Sequence, residues 1–573
     1  MASFRNPILS GFYPDPSLCR VGDDGRSESG FYLVNSTFAY FPGIPVFHSK
    51  DLRRWRQIGN AVDRPGQLCF DGHSISQGLF APTIRYNRGT FYILCTLIHT
   101  GGNFIMTAQD PAGPWSNPVW LDGADGIDPS IFFDDDNTAP FPTAWYMGTH
   151  PAPEGEAYPG NYEIYIQRLD LARLEELTKK ELTTEYTEFE ERGGLGKGEK
   201  LLIGEKFGIW RGALRDAVWP EGPHIYRING WYYLLYAEGG TGLDHAVCAA
   251  RARDIRGPWE GKKSNPVLTH RHLGKNAAII NAGHADLFDD PEGNWRMVLL
   301  ASRPVNGVCP LGRETFMVPV FWEDGWPFVA SKTGLIEETF PLPDAVAGAA
   351  IADTATDWSH EPACDHFDGR LPPHWLTLRM PAREQDAAIS LTARPGALRL
   401  FTRAATLRGR DHPAFAGRRL RHHNWAFCAA IEFTPQAARE SAGESAGIVL
   451  LQSEDWHYRF ELFLADSGVP ALRLIRAAGG KEEETIAAGE CPAALRQGAV
   501  ILAARGEETA LTFFYGKDTC SLKPFAGPVD GRILSTEYAG GFVGTLAGVF
   551  ATGGGTDTGS YADVLWAEYT GNP

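Results

Sequence analysis

Three acidic residues stand at matching places in a repeating sequence. They are Asp15 in Pro14-Asp15-Pro16-Ser17, Asp128 in Ile127-Asp128-Pro129-Ser130 and Glu221 in Pro220-Glu221-Gly222-Pro223-His224. One carboxylate beside a proline is an ordinary turn former. Three at the start of equivalent β-type runs point elsewhere, because repeats that close around an axis bring equivalent positions together. Carboxyl groups gathered in this way suit general acid–base chemistry, in which different surroundings keep one ionised and another protonated. Other chemistries lack their residues. Gly193 to Lys200 is rich in glycine and lysine but has no phosphate-loop spacing, and Gly72-His73-Ser74-Ile75-Ser76 lacks the last glycine of a nucleophile elbow. There is no His-Glu-x-x-His, and Gly553-Gly554-Gly555 completes no dinucleotide fingerprint.

The elements that must position these acids recur through the first 335 residues. Each copy is a turn rich in Pro, Asp or Gly, a short β-type run, a polar or glycine turn, and an aromatic strand. Phe31-Tyr32-Leu33-Val34 follows the Asp15 turn, Phe91-Tyr92-Ile93-Leu94 follows Ala81-Pro82, and Ala144-Trp145-Tyr146-Met147 follows Asp128. Trp231-Tyr232-Tyr233-Leu234 follows Glu221, and Trp295-Arg296-Met297-Val298 follows Gly283-His284-Ala285-Asp286. Turn residues between such runs signal hairpins. Repeats of ~40–50 residues with several strands each signal a β-propeller. The five copies, keyed on positions 15, 82, 128, 221 and 284, predict five blades, with the innermost strands lining the axis. The highly charged stretch 169–216 reads as a solvated, partly helical insertion without chemistry of its own. Residues 336–365 read as a connector. Residues 366–573 alternate again, as in Tyr458-Arg459-Phe460-Glu461-Leu462, and predict a β-sandwich. The fold class is therefore all-β, with a propeller over 1–335 and a sandwich over 366–573.

Composition narrows the partners. Asp plus Glu number 70 against 53 Lys plus Arg, a formal charge of −17. That balance argues against nucleic acid and anionic membrane surfaces and fits a neutral ligand. No apolar stretch approaches the ~20 residues of a membrane helix. The N-terminus shows no charged-then-apolar run, and the 9 cysteines include no Cys-x-x-Cys pair. Both features lead to the expectation of a cytoplasmic protein with free, mostly buried thiols. Self-association into a homo-oligomer is compatible with the sequence.

In order along the chain come Asn6-Pro7-Ile8-Leu9, Gly11-Phe12-Tyr13-Pro14-Asp15-Pro16-Ser17, Ser36-Thr37-Phe38, Ala81-Pro82, Gly126-Ile127-Asp128-Pro129-Ser130, Pro220-Glu221-Gly222-Pro223-His224, Gly283-His284-Ala285-Asp286 and Gly312-Arg313-Glu314-Thr315-Phe316. From about residue 6 to 327 the chain thereby resembles glycoside hydrolase family 43, the β-xylosidase branch. Asp365-His366-Phe367 and Gly541-Phe542-Val543-Gly544 extend the likeness to that branch's C-terminal, concanavalin-like sandwich. The resemblance implies an inverting exo-β-xylosidase acting on short xylo-oligosaccharides, with α-L-arabinofuranosidase or dual activity as the neighbouring alternative and a non-catalytic sugar-binding propeller as a remote one. It implies that Asp15 is the general base, Glu221 the general acid and Asp128 the residue that orients the acid and tunes its pKa. Inversion asks for carboxyl groups roughly 6.5–9.5 Å apart. By the same likeness Arg313 binds sugar, His284 lies at the floor of the site, Phe38 and Phe80 are its apolar walls, and Phe542 closes it from the sandwich. Phe80 departs from the tryptophan frequent before Ala-Pro. No cofactor is required by this reading, and a structural calcium ion is left open.

Overall fold

The computed structural model describes residues 3–134, 141–181, 198–342, 363–379, 388–435 and 443–572. Most of the expected connector, the acidic turn after Asp134 and the charged middle of 169–216 fall outside them. The first half forms five antiparallel sheets around an axis. Their innermost strands are Ser17–Val21, Gly78–Asn87, Ile127–Asp134, Glu221–Ile228 and Ile280–Asp289. The aromatic runs form the second strands, such as Trp231–Glu238. These strands are covered on both faces, which is why they read as continuous apolar stretches rather than alternating ones.

Core clusters fill the gaps between blades. Ile84, Phe91 and Trp115 of blade 2 meet Val34 and Val46 of blade 1, and Leu94 and Ile105 meet Ile131 and Tyr146 across the next gap. Met147 and Ile164 meet Leu234 and Tyr236, and a last cluster joins Leu299 and Phe316 of blade 5 to Leu33 and Phe47 of blade 1. The ring is tied shut by the N-terminus. Asn6 Nδ2 donates to the Met317 carbonyl at 2.9 Å, Met317 N donates back to Asn6 Oδ1 at 2.9 Å, and Ser3–Arg5 pairs with Thr339–Pro341.

One expectation is corrected. The stretch 169–216 is not a solvated insertion throughout. Leu171–Glu181 is a helix whose Leu171, Leu174 and Leu177 are buried against blades 2 and 3, and Leu202–Trp210 is the fourth strand of blade 3. That strand lies at the blade's exposed edge, so its sequence carries little alternation to reveal it.

The second half is a sandwich of two large antiparallel sheets over one core, which includes Trp375, Phe427, Tyr458, Phe460 and Phe513. The propeller lends it a strand. Tyr40–Phe41 pairs with Trp375–Leu378 at the sheet's edge, with Phe41 opposite Thr377 and Tyr40 opposite Leu378. A shared cluster of Phe12, Phe38, Tyr40 and Ile75 with Leu376, Phe415, Val543 and Phe550 cements the join. Arg379, fully buried, donates through Nε to the His73 carbonyl at 2.7 Å and pairs with Glu454 at 2.6 Å.

Candidate active site

Each inner strand enters the axis through an irregular first step. Asp15, Ala81, Asp128, Gly222 and His284 occupy equivalent places at the five entries, and all five have φ between 40° and 56°. In blades 2 to 5 the ladder register shifts at this point, between Phe80 and Thr83, Ile127 and Ser130, Glu221 and His224, and around Gly283. Such bulges re-aim one side chain and are common beside active sites. Here they turn the first side chains of the strands toward one end of the axis. The sequence keys 82 and 221 are therefore each off by one. Asp15 and Asp128 are strict equivalents, whereas Glu221 sits one residue ahead of its blade's matching position, Gly222. Only glycine suits that place, because a Cβ on Gly222 would lie 2.9 Å from the His284 ring.

At this end lies a cavity of about 370 Å³. All eight expected site residues line it: Asp15, Asp128, Glu221, Arg313, His284, Phe38, Phe80 and Phe542. Phe542 arrives from the sandwich, held by its backbone N–H donating to Ser76 Oγ at 3.0 Å. Its ring stacks on Phe38 with centroids 6.1 Å apart and meets Phe80 edge-on at 5.6 Å, so the apolar wall is shared between the domains.

The three carboxyls differ in their partners. Asp15 accepts from Ser36 Oγ at 2.6 Å through Oδ2 and from Arg313 Nη1 at 3.0 Å through Oδ1. Burial alone pushes its pKa up. The Arg313 and His284 charges and the Ser36 hydrogen bond outweigh that, and the net shift is below the ordinary value, so Asp15 is a carboxylate. Asp128 accepts from Gly222 N at 3.0 Å, and burial followed by the Asp15 charge raises its pKa despite the opposing pull of His284. Glu221 is pushed well above the ordinary carboxylate range, first by burial and then by the negative fields of Asp128 and Asp15. One cavity thus holds a carboxylate kept ionised and a carboxyl kept protonated, the pairing that acid–base cleavage of a C–O bond requires. Among the described residues, no group of three or more His, Cys, Asp or Glu is placed to hold a metal ion.

With this geometry, the comparisons with known proteins are decisive. Residues 4–327 match the family described as Glycosyl hydrolases family 43, and residues 364–570 match the Beta xylosidase C-terminal Concanavalin A-like domain. The chain belongs to glycosyl hydrolases family 43. This family 43 enzyme, a glycoside hydrolase, is 40% identical over 572 residues to a xylosidase/arabinosidase of Butyrivibrio fibrisolvens, covering 98% of both chains. It is 35% identical to a non-reducing end α-L-arabinofuranosidase of Bacteroides ovatus, covering 99% of this chain and 94% of the other. The structure of a xylan β-1,4-xylosidase from Bacillus halodurans superposes with a TM-score of 0.83 at 29% identity, over 99% of this chain and 100% of that one.

Among the lining residues that escaped the sequence reading are Tyr162, Trp219, Thr241 and His245. Thr241 Oγ1 accepts from Arg313 Nη1 at 2.9 Å and so helps aim the guanidinium at Asp15. His245 is buried, with Nδ1 3.0 Å from the Asn281 carbonyl, and its ring fills the space over Gly283. Burial lowers its pKa to about 3, so it is neutral. Thr241 and His245 come from a loop between strands with no motif of its own. Trp219 did carry a signal, standing directly before Pro220-Glu221.

Beneath the acids lies a second layer, at the next inward-facing position of each inner strand: Ser17, Thr83, Ser130, His224 and Asp286. Asp286 is fully buried and accepts from Arg85 Nη1 and Nη2 at 2.7 and 2.9 Å, from Ser17 Oγ at 2.7 Å, from Leu18 N at 3.0 Å and from Tyr226 Oη at 2.5 Å. Burial raises its pKa, but Arg85 and the hydrogen bonds more than reverse this and hold it far below the usual range. His224, made neutral by burial with a pKa of about 3, accepts from Arg85 Nη2 at 3.0 Å. This network ties the inner strands of blades 1, 2, 4 and 5 together next to the site.

Proposed function

We propose that the enzyme is an inverting exo-β-xylosidase that releases xylose from the non-reducing ends of short xylo-oligosaccharides. The observation that carries this reading is the gathering of Asp15, Asp128 and Glu221 in one cavity, where Arg313 favours the ionised form of Asp15 and the neighbouring acids favour the protonated form of Glu221. Asp15 takes a proton from a water molecule, whose oxygen bonds to the anomeric carbon as the bond to the leaving oxygen breaks. Glu221 gives its proton to that oxygen. Asp128, bonded to Gly222 N next to Glu221, fixes the backbone that presents the acid, and its negative field favours the protonated form. Arg313 holds Asp15 ionised and offers its remaining donors to sugar hydroxyls. A cavity walled on one side by Phe542 of the sandwich suits a chain end better than the middle of a polymer, which favours removal of one sugar at a time.

A second reading, α-L-arabinofuranosidase or both activities, is favoured by the names of the relatives at 40% and 35% identity. Rates on aryl β-D-xyloside, aryl α-L-arabinofuranoside and xylobiose separate the two. The expected order places the xyloside first, and a dominant arabinofuranoside rate replaces the lead reading by the second. Proton NMR of the first product from a β-xyloside is expected to show the α-anomer of xylose. If β-xylose appears first, inversion is wrong.

A further inference from the structure

Trp219 stands two residues before Glu221 and lines the same cavity, yet 38% of it is exposed, whereas Phe38, which also lines it, is 1% exposed. Its backbone is left-handed, with φ 49°, a conformation a bulky side chain adopts only when its surroundings impose it. The surroundings do impose it. Trp219 N donates to the Gly160 carbonyl at 2.8 Å, and Gly239 N donates to the Val218 carbonyl at 2.8 Å, clamping the residue between two loops. Both loops then make room for the indole with glycine. A Cβ on Gly160 or on Gly240 would each lie 2.8 Å from an indole carbon. Strained backbone, two hydrogen-bonded clamps and two glycine seats hold a large apolar ring partly in solvent, beside the proton donor.

We propose that the Trp219 indole is the platform on which the leaving group stacks, making it a determinant of leaving-group specificity. The inference rests on the acid role of Glu221 given above. The acid must lie against the oxygen between the two sugars, so a ring that shares its loop and reaches the mouth meets the departing half of the substrate. A pyranose ring has an apolar C–H face that an aromatic ring covers without needing polar partners. A leaving group with no ring gains nothing from it.

The test compares xylobiose with methyl β-xyloside, or arabinobiose with methyl α-arabinofuranoside if arabinose is the sugar released. Trp219→Ala and Trp219→Leu are expected to lower kcat/KM on the disaccharide by about tenfold. On the methyl glycoside they leave it within about twofold, with the pH profile unmoved. Trp219→Phe, which keeps an aromatic face, restores most of the disaccharide rate. Trp219→Leu keeps the comparison alive if the alanine variant fails to fold. Equal losses on both substrates, or a shifted basic limb, mean that the indole acts only by supporting Glu221, and the inference fails. Unchanged disaccharide kinetics in the leucine variant also overturn it. A wild-type enzyme that cleaves neither glycoside defeats the proposed function itself, a result distinct from equal losses in an active one.

Discussion

Glu221, half-buried, and Asp286, fully buried, are carboxyls on inner propeller strands, one layer apart, and they are driven in opposite directions. Asp286 faces a bidentate guanidinium and three further donors, which hold its carboxyl far below the ordinary aspartate range. Glu221 faces two other acids, and is protonated. The repeat supplies position, and the partner supplied by the neighbouring blade decides protonation. Desolvation is common to both sites, so the difference lies in Arg85 below against Asp15 and Asp128 above. A fold with fivefold repetition can therefore carry a structural charge and the proposed acid on equivalent elements.

The sharpest way to break this comparison is to replace each carboxyl. Asp15→Ala and Glu221→Gln are each expected to lower kcat on an oligosaccharide by roughly 10³-fold, within the range seen when general acids and bases are removed, with folding intact by circular dichroism. Asp286→Asn is expected to act instead on stability. It leaves Arg85 buried beside a neutral amide and costs about 3–5 kcal/mol, measured by denaturant unfolding.

The same pair has opposite pH signatures. Asp286 has a lowered folded pKa, so its stabilisation is present above the ordinary aspartate value and is lost as pH falls through the folded one. Glu221 has a raised folded pKa, so stability is full below the ordinary glutamate value and declines as pH rises through the raised one. Melting temperature against pH is expected to fall on the alkaline side in the wild type and to flatten there in Glu221→Gln. A parallel decline in both proteins would show that Glu221 is not the group responsible.

Smaller effects refine the upper layer. Phe542→Ala removes the wall contributed by the sandwich and is expected to raise KM about tenfold with less change in kcat, since its ring touches Phe38 and Phe80 rather than a carboxyl. Asp128→Asn removes one of the two negative fields on Glu221. The basic limb of the kcat/KM profile is then expected to move to lower pH by about one unit. Movement to higher pH would contradict the tuning role.

Much of this was legible in the residues. Asp15 and Asp128 announce themselves because each directly precedes a proline at the start of a strand, and the aromatic second strands follow from their burial on both faces. Glu221 was found but mis-registered, because a bulge is invisible to a count of residues between motifs. The edge strand Leu202–Trp210 was missed for lack of alternation, and Trp219 and His245 because their significance lies in what folds against them. The pairing beneath the site was hidden as well, although Ser17, Ser130, His224 and Asp286 stand in the motifs themselves. Arg85 and Asp286 are far apart in sequence, and neither lies in a turn motif that suggests pairing.

The strand Tyr40–Phe41 has a consequence for how the two halves can exist apart. It caps the sandwich sheet at Trp375–Leu378, and a sheet edge left bare offers unpaired N–H and C=O groups to any passing chain. A sandwich expressed alone would present that edge to its own copies, while a propeller expressed alone would keep its acids but lose the Phe542 wall. Two residues of propeller thus cover a border of the sandwich, and one phenylalanine of the sandwich completes the wall of the propeller's cavity, so separating the halves leaves each with an exposed seam.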